Sequence, residues 1–323
     1  MQPSYGPPPI RLLTRASIPM VEHIAEEVGS VILRRRPLIW FATAGYDQRL
    51  ATLASEVPTL GYLTDTETHR RCPALRVDKI SSAVIDEDAF EVRVPTLIAQ
   101  FVARAQNAGA ILKLNSAVRT ARRAGGVWHV SVGDQVIQAK TVVNAAGPWA
   151  DTVARMFGAR PLDLIPHRRT VVVARPYGRV VEQDWAMASD ISLSLYFRPD
   201  GDNVLMSPSE EVPSDPCDAV PWESDIARLC DRINVMTDLD IRDIESSWAG
   251  LRTFPNDHLP VVGFDEDLPN FYWLAGQGGY GIQTAPVLSV LVAKAISGED
   301  HDLGARLDSI LAQFSPNRSA LRV

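Results

Sequence analysis

The chain has 323 residues, 46% hydrophobic and 22% charged, which is long and apolar enough for two domains with sizeable cores. Its net charge of −7 excludes a bulk basic surface for nucleic acid, and three scattered cysteines without a CxxC pair exclude a disulfide framework or a zinc site. No signal-like h-region and no apolar run near the ~18 residues of a bilayer span occur, so the expected address is the cytoplasm.

The N-terminal residues lead into Pro7-Pro8-Pro9, an unusual opening for a domain. Apolar residues at helical spacing predict a helix over 10–28, and three arginines, Arg34 to Arg36, read as a solvated turn. A strand is expected at 38–42 and helices at 47–56 and 65–71, the latter stopped by Pro73. A strand at 80–85 and an amphipathic helix at 94–108 follow, then a meander of strands at 111–114, 117–121, 127–132 and 135–139. Segment 141–147 reads as a buried strand and 149–157 as a helix. A mixed block has strands at 169–175, 193–198 and 203–206 and a helix at about 222–236. The chain closes on a strand at 271–275, a glycine-rich loop at 276–281 and an apolar helix at 284–296. This order implies an α/β (α+β) fold of two domains built from discontinuous segments.

Two segments carry chemistry. In Gly276-Gln277-Gly278-Gly279-Tyr280-Gly281-Ile282-Gln283 the glycines allow the backbone to approach a flat or anionic ligand, beside a helix start rich in free N–H groups. Four glycines in six residues exceed the needs of one tight turn. In Val142-Val143-Asn144-Ala145-Ala146-Gly147-Pro148-Trp149, a hydrophobic strand ends in small residues that permit close packing against a dinucleotide.

With Ser247-Trp248-Ala249-Gly250-Leu251-Arg252, Pro260-Val261-Val262-Gly263 and Tyr196-Phe197-Arg198-Pro199, these strings resemble the D-amino-acid oxidase family of flavoproteins. Within that family they are most similar to the D-arginine dehydrogenase-like enzymes. The resemblance implies FAD as cofactor and a substrate carboxylate held by an arginine and a tyrosine while the α-hydrogen leaves as hydride to flavin N5. It implies Arg252 and Tyr196 in those roles and Arg169 as a second cation. A guanidinium fork suits a carboxylate, and fixing one end of a substrate fixes the reacting geometry. Also by resemblance, Ala146, Gly147, Trp149, Gly278, Gly279, Tyr280, Gly281, Ile282 and Gln283 line the flavin or the substrate, and Val118 lies beside the adenine. His167 and His258 read as structural or exposed, and no acid–base residue stands out, which suits direct loss of hydride by a neutral amine.

The pattern departs from the family in two places. No GxGxxG turn occurs near the start, where the family places the βαβ unit that cradles the pyrophosphate. The expectation is a chain starting just past that unit, through a misassigned start, gene decay or a partner subunit that supplies it. Its first helix would then pack on absent elements, and tight FAD binding would be weakened. Second, Leu38 stands where arginine-preferring relatives place a carboxylate, which favours a neutral or apolar substrate over a basic one.

The expected fold is therefore an N-terminally truncated Rossmann-like FAD-binding domain (1–34, 92–153 and 247–323) with an interleaved, mainly antiparallel substrate domain (35–91 and 154–246). The expected reaction is oxidative deamination of a D-amino acid or related amine to a 2-oxo acid and ammonia. A glycine, sarcosine or opine-type oxidase using oxygen instead of a quinone or carrier stands as the alternative, and a non-catalytic remnant as the second.

Overall fold

A computed structural model describes residues 1–299 and 303–321. In chain order its elements are α1 (Pro8–Val28), β1 (Leu33–Arg35), β2 (Leu38–Ala42), α2 (Asp47–Glu56), β3 (Gly61–Leu63), α3 (Asp65–Arg71), β4 (Ser82–Asp86), β5 (Phe90–Val92) and α4 (Val94–Asn107). They continue with β6 (Val118–Ala124), β7 (Val127–Val132), β8 (Gln135–Ala139), β9 (Val142–Asn144), α5 (Ala150–Phe157), β10 (Ile165–Pro176), β11 (Met187–Asp190), β12 (Tyr196–Asp200), β13 (Asn203–Ser207) and β14 (Val212–Pro213). The last are α6 (Glu223–Met236), β15 (Ile241–Phe254), β16 (Val261–Phe264), β17 (Phe271–Ala275), α7 (Gly281–Ser297) and α8 (Ala305–Asp308).

A nine-stranded sheet runs β14-β10-β13-β12-β11-β2-β4-β3, with β15 paired along β10. Only β11 and β2 pair in parallel within it. β2 reads Leu-Ile-Trp-Phe-Ala and is buried at every position, the signature of a central strand covered on both faces. A second sheet, β16-β17-β9, pairs β17 with β9 in parallel, so the small residues after β9 and the glycine loop after β17 emerge at the same end. A third sheet is the antiparallel meander β6-β7-β8.

Helix α1 forms because Ile10, Leu13, Val21 and Ile24 fall on one buried stripe, with proline in the first turn and Gly29 closing it in the left-handed region. Ile10 and Leu13 pack with Val287, Leu288 and Leu291 of α7, and Val21 and Ile24 pack with Met1, Ile32 and Leu97. Each such side chain contributes roughly 1.5–3 kcal/mol by burial. The first helix thus rests on an element of the chain itself, which corrects the expectation that its support is absent. The α1–α7 pair brings the residues before α1 to the start of α7, where Gly6 turns at φ 92° against Ile10 and Tyr280.

Several boundaries differ from the sequence reading. Residues 111–114 form no strand, since nothing pairs with them among the described residues, and Ile111 and Leu114 are exposed. The expected strand at 80–85 is β4 at Ser82–Asp86, β10 begins earlier at Ile165, and the strand placed at 193–198 is β12 at Tyr196–Asp200. The last helix begins at Gly281, so the glycine loop is also its first turn. β15 escaped the sequence reading, and the expected domain division at 246 falls inside it.

Candidate active site

Strand alternation decides which arginine faces which way. On β10, Arg169 pairs with Gly250 of β15, and His167 pairs with Arg252. Residues two apart on a strand share a face, so Arg169 and Arg252 stand diagonally on one face, with Gly250 leaving the intervening position empty. Arg168 points the other way. Its guanidinium donates to Asp225 at 2.6 Å and lies over the Trp222 ring, so it is a buried structural ion pair with α6.

The same alternation along β15 divides two cavities. Leu251 and Thr253 line one and Arg252 lines the other. The glycine loop continues the partition: Gly276, Gln277, Gly278 and Gly281 face the first cavity, while Gly279, Ile282 and Gln283 face the second.

The first cavity is a slot of about 390 Å³ between the loop after β9, the end of β17 and the start of α7. Ala145, Gly147 and Pro148 form its other side, so the two segments singled out in the sequence meet here. Gly276, Gly278 and Gly147 all sit at positive φ, and a side chain at Gly278 would fall 1.9 Å from the Phe254 ring. Thr253 borders this slot, and its buried Oγ1 has no partner among the described residues. A narrow, apolar slot with an unpaired hydroxyl and a helix start fits a flat ring system carrying hydrogen-bonding edges.

The second cavity, about 290 Å³, has the large sheet as its floor. Trp40, Ser189 and Tyr196 come from β2, β11 and β12 in register and form one row across it. At one end stand Arg169, Arg252, Tyr196 and Tyr5. Arg252 makes no ion pair among the described residues, whereas Arg169 donates to Glu211 at 2.9 Å. Burial holds the Arg169 guanidinium below its usual range, and the neighbouring charge of Arg252 adds to that. Two cations facing each other with one partner carboxylate leave an unmet demand for an anion at this end. Gly279 makes the approach possible, because a Cβ there would lie 2.8 Å from Arg252 Nη1 and 3.1 Å from the Tyr5 hydroxyl.

Tyr5 was not legible as a site residue. It reaches the cavity because the main-chain N–H of Ser4 donates to Asp86 at 2.9 Å, Trp40 Nε1 donates to Ser4 Oγ at 2.9 Å, and the Tyr5 ring stacks over Trp40 at 6.3 Å. Gln283 donates to the Tyr5 carbonyl at 3.5 Å. Tyr280, whose hydroxyl is pushed up by burial, packs on Tyr5 and Phe254 and lines a third cavity, flanking the second and also bordered by His258.

Arg252, Tyr196, Arg169, Gly279, Ile282 and Gln283 thus converge on one cavity and Gly147, Gly278 and Gly281 on the adjoining slot. Ala146 lies between two slot residues, Ala145 and Gly147. Val118, on β6, packs into the cluster of Trp128, Ala150 and Trp273, and Trp149 is 42% exposed; neither lines these cavities. Leu38 is fully buried in the cavity floor.

The family model for DAO, FAD dependent oxidoreductase, matches residues 1–295. Mitochondrial dimethylglycine dehydrogenase of Mus musculus is 28% identical over 291 residues, covering 82% of this chain and 33% of that protein. The chain therefore spans about a third of the length of that relative. Glycine oxidase of Geobacillus kaustophilus is 24% identical over 299 residues, covering 90% of this chain and 78% of that protein. The crystal structure of glycine oxidase from Geobacillus kaustophilus superposes with a TM-score of 0.81 at 23% identity, covering 96% of this chain and 82% of the other. The structure of L-proline dehydrogenase from P. horikoshii does so at 0.83 with 17% identity, covering 98% and 84%. These likenesses establish the fold.

Proposed function

The chain belongs to the DAO family of FAD dependent oxidoreductases, and from that premise we propose that it oxidises a carboxylate-bearing amine, a D-amino acid in the first instance, to an imine that water converts to a 2-oxo acid and ammonia. The observation that carries this reading is the Arg252 guanidinium, without an ion pair among the described residues, on the partition between the two cavities. A carboxylate held there lies beside the glycine loop, on whose other side the ring slot begins. Gly147, Gly278, Gly281 and Thr253 would hold the flavin, and bound FAD supplies the two-electron acceptor.

The chain's own residues bind and orient. Arg252 offers a bidentate fork to the carboxylate, Arg169 adds charge, and Tyr196 and Tyr5 present hydroxyls at the same end. Anchoring one end restricts the α-carbon to a small volume against Gly279, which is the proximity contribution to rate. Burial pushes the Tyr280 hydroxyl above its usual range, which disfavours it as a base. Leu38, Trp40, Met187 and Leu205 make much of the cavity's lining apolar, which disfavours a cationic side chain.

The preference for a D-amino acid rests on the strings Gln277–Thr284 and Tyr196–Pro199. A second reading, oxidation of an N-methylated glycine, is favoured by the sequence likeness to dimethylglycine dehydrogenase over 82% of the chain. Steady-state comparison of Arg252→Met and Tyr196→Phe against the parent tests the assignment. A large rise in KM for every carboxylate-bearing amine supports it, and unchanged KM in Arg252→Met removes it.

A further inference from the structure

The end of the substrate cavity opposite Arg252 holds a second polar cluster. Arg36, only 4% exposed, donates to Glu91 Oε2 at 2.9 and 3.1 Å and to the carbonyls of Gln183 and Trp185, so its guanidinium is committed. Arg198 is not. Its Nη1 contacts the Pro199 carbonyl at 2.7 Å, Asp200 at 2.9 Å and Glu91 Oε1 at 3.3 Å, while Nε and Nη2 make no hydrogen bond among the described residues. Arg198 and Glu91 both line the cavity.

Their position follows from the sheet. Arg198 stands two residues beyond Tyr196 on the same face of β12, opposite Leu205 of β13. Two residues of strand span roughly 6.6 Å, so the two rows are separated by about the length of an amino-acid side chain. Leu38 and Met187, paired with each other, continue the Arg198 row onto β2 and β11.

Charge counting selects the ligand. Arg36 and Arg198 balance Glu91 and Asp200 at the far end, where burial holds the Met1 amine down at about 5 and so favours its neutral form. Arg169 and Arg252 exceed Glu211 by one cation at the near end. One substrate carboxylate therefore neutralises the whole cavity. A second anion, or a cation, at the far end would be uncompensated. The far end still presents two donors on Arg198 and acceptor capacity on Glu91 Oε1, side by side.

We propose that the substrate carries a side-chain carboxamide, whose C=O accepts from Arg198 and whose NH₂ donates to Glu91 Oε1. A carboxamide is the neutral group that satisfies both at once. The assignment rests on the near end being the carboxylate anchor, as read above.

The test uses ligands that lack an α-amine, so it does not depend on oxidation. Glutaramate, glutarate and hexanoate share a carboxylate and a three-methylene spacer and differ at the tip. Each is titrated calorimetrically into the FAD-supplied chain. Glutaramate is expected to bind roughly tenfold or more tighter than the other two, the worth of a hydrogen bond to a charged group. Arg198→Met should bring the ratio near one. Equal or tighter binding of glutarate or hexanoate to the parent chain, or no measurable binding of glutaramate, overturns the assignment, whatever the variant does. If glutaramate binds as stated while no amino acid bleaches the flavin, amine oxidation fails and the carboxamide site stands.

Discussion

Gly279→Ala isolates the central contact of the site. The residue is not at positive φ, so alanine brings no backbone strain, and the added Cβ would lie 2.8 Å from Arg252 Nη1, 3.3 Å from Arg252 Cζ and 3.1 Å from the Tyr5 hydroxyl. The obstructed atoms are the ends of two flexible side chains. They swing away at small cost to the fold, about 1 kcal/mol or less. What is lost is the placement of the guanidinium. A charge-assisted hydrogen bond is worth roughly 1.5–3 kcal/mol, so carboxylate affinity should fall on the order of 10- to 150-fold. Gly278→Ala provides the contrast. Its Cβ would sit 1.9 Å from the Phe254 ring, and its φ is 50°, so the damage falls on stability. Thermal unfolding and calorimetric titration with a simple carboxylate are measured on both. A Gly279→Ala chain that keeps its affinity, or that melts as early as Gly278→Ala, refutes the reasoning.

The two adjacent arginines should separate the same way. Arg168→Met leaves the buried Asp225 carboxylate with Arg228 alone and should cost about 1–3 kcal/mol of stability, seen as a lower denaturation midpoint, while Arg169→Met should leave the midpoint near the parent and weaken carboxylate binding. The cysteines give a pH-dependent outcome. Burial pushes the Cys72 thiol up to about 12, so alkylation of the folded chain at about pH 8.5, where an ordinary thiol is half ionised, should modify the exposed Cys217 and spare Cys72. The linked sign is that this burial leaves stability unaffected below the ordinary thiol value. Stability is then lost as pH rises through that value toward about 12, because only the unfolded chain ionises there. Mass spectrometry of the labelled peptides checks it, and modification of native Cys72 would contradict it.

The parts of the site legible in the sequence were those with local signatures. Glycines spaced through 276–281 imply close backbone approach wherever the chain folds, and the structure uses them against Phe254 and Arg252. The wholly apolar segment 38–42 could hardly be anything but a buried strand, and it is one. What escaped depends on distant partners. β15 carries polar residues on its exposed face and bulges near Val173 and Arg175 of β10, so its alternation is masked. Segment 111–114 has strand composition but no neighbour to pair with among the described residues. Arg168 and Arg169 are equivalent as text, and only the register with Gly250 tells them apart. Tyr5 enters through Asp86 and Trp40, far along the chain.

The most direct measurement is anaerobic mixing of the FAD-loaded, desalted chain with D-amino acids, their L-enantiomers and N-methylated glycines, followed by the flavin absorption band. The account predicts that carboxylate-bearing amines bleach the flavin bound to the chain, D-amino acids foremost, with bleaching weakened in Arg252→Met. A chain that retains flavin yet is bleached by none of them, or is bleached equally well after Arg252→Met, would contradict it.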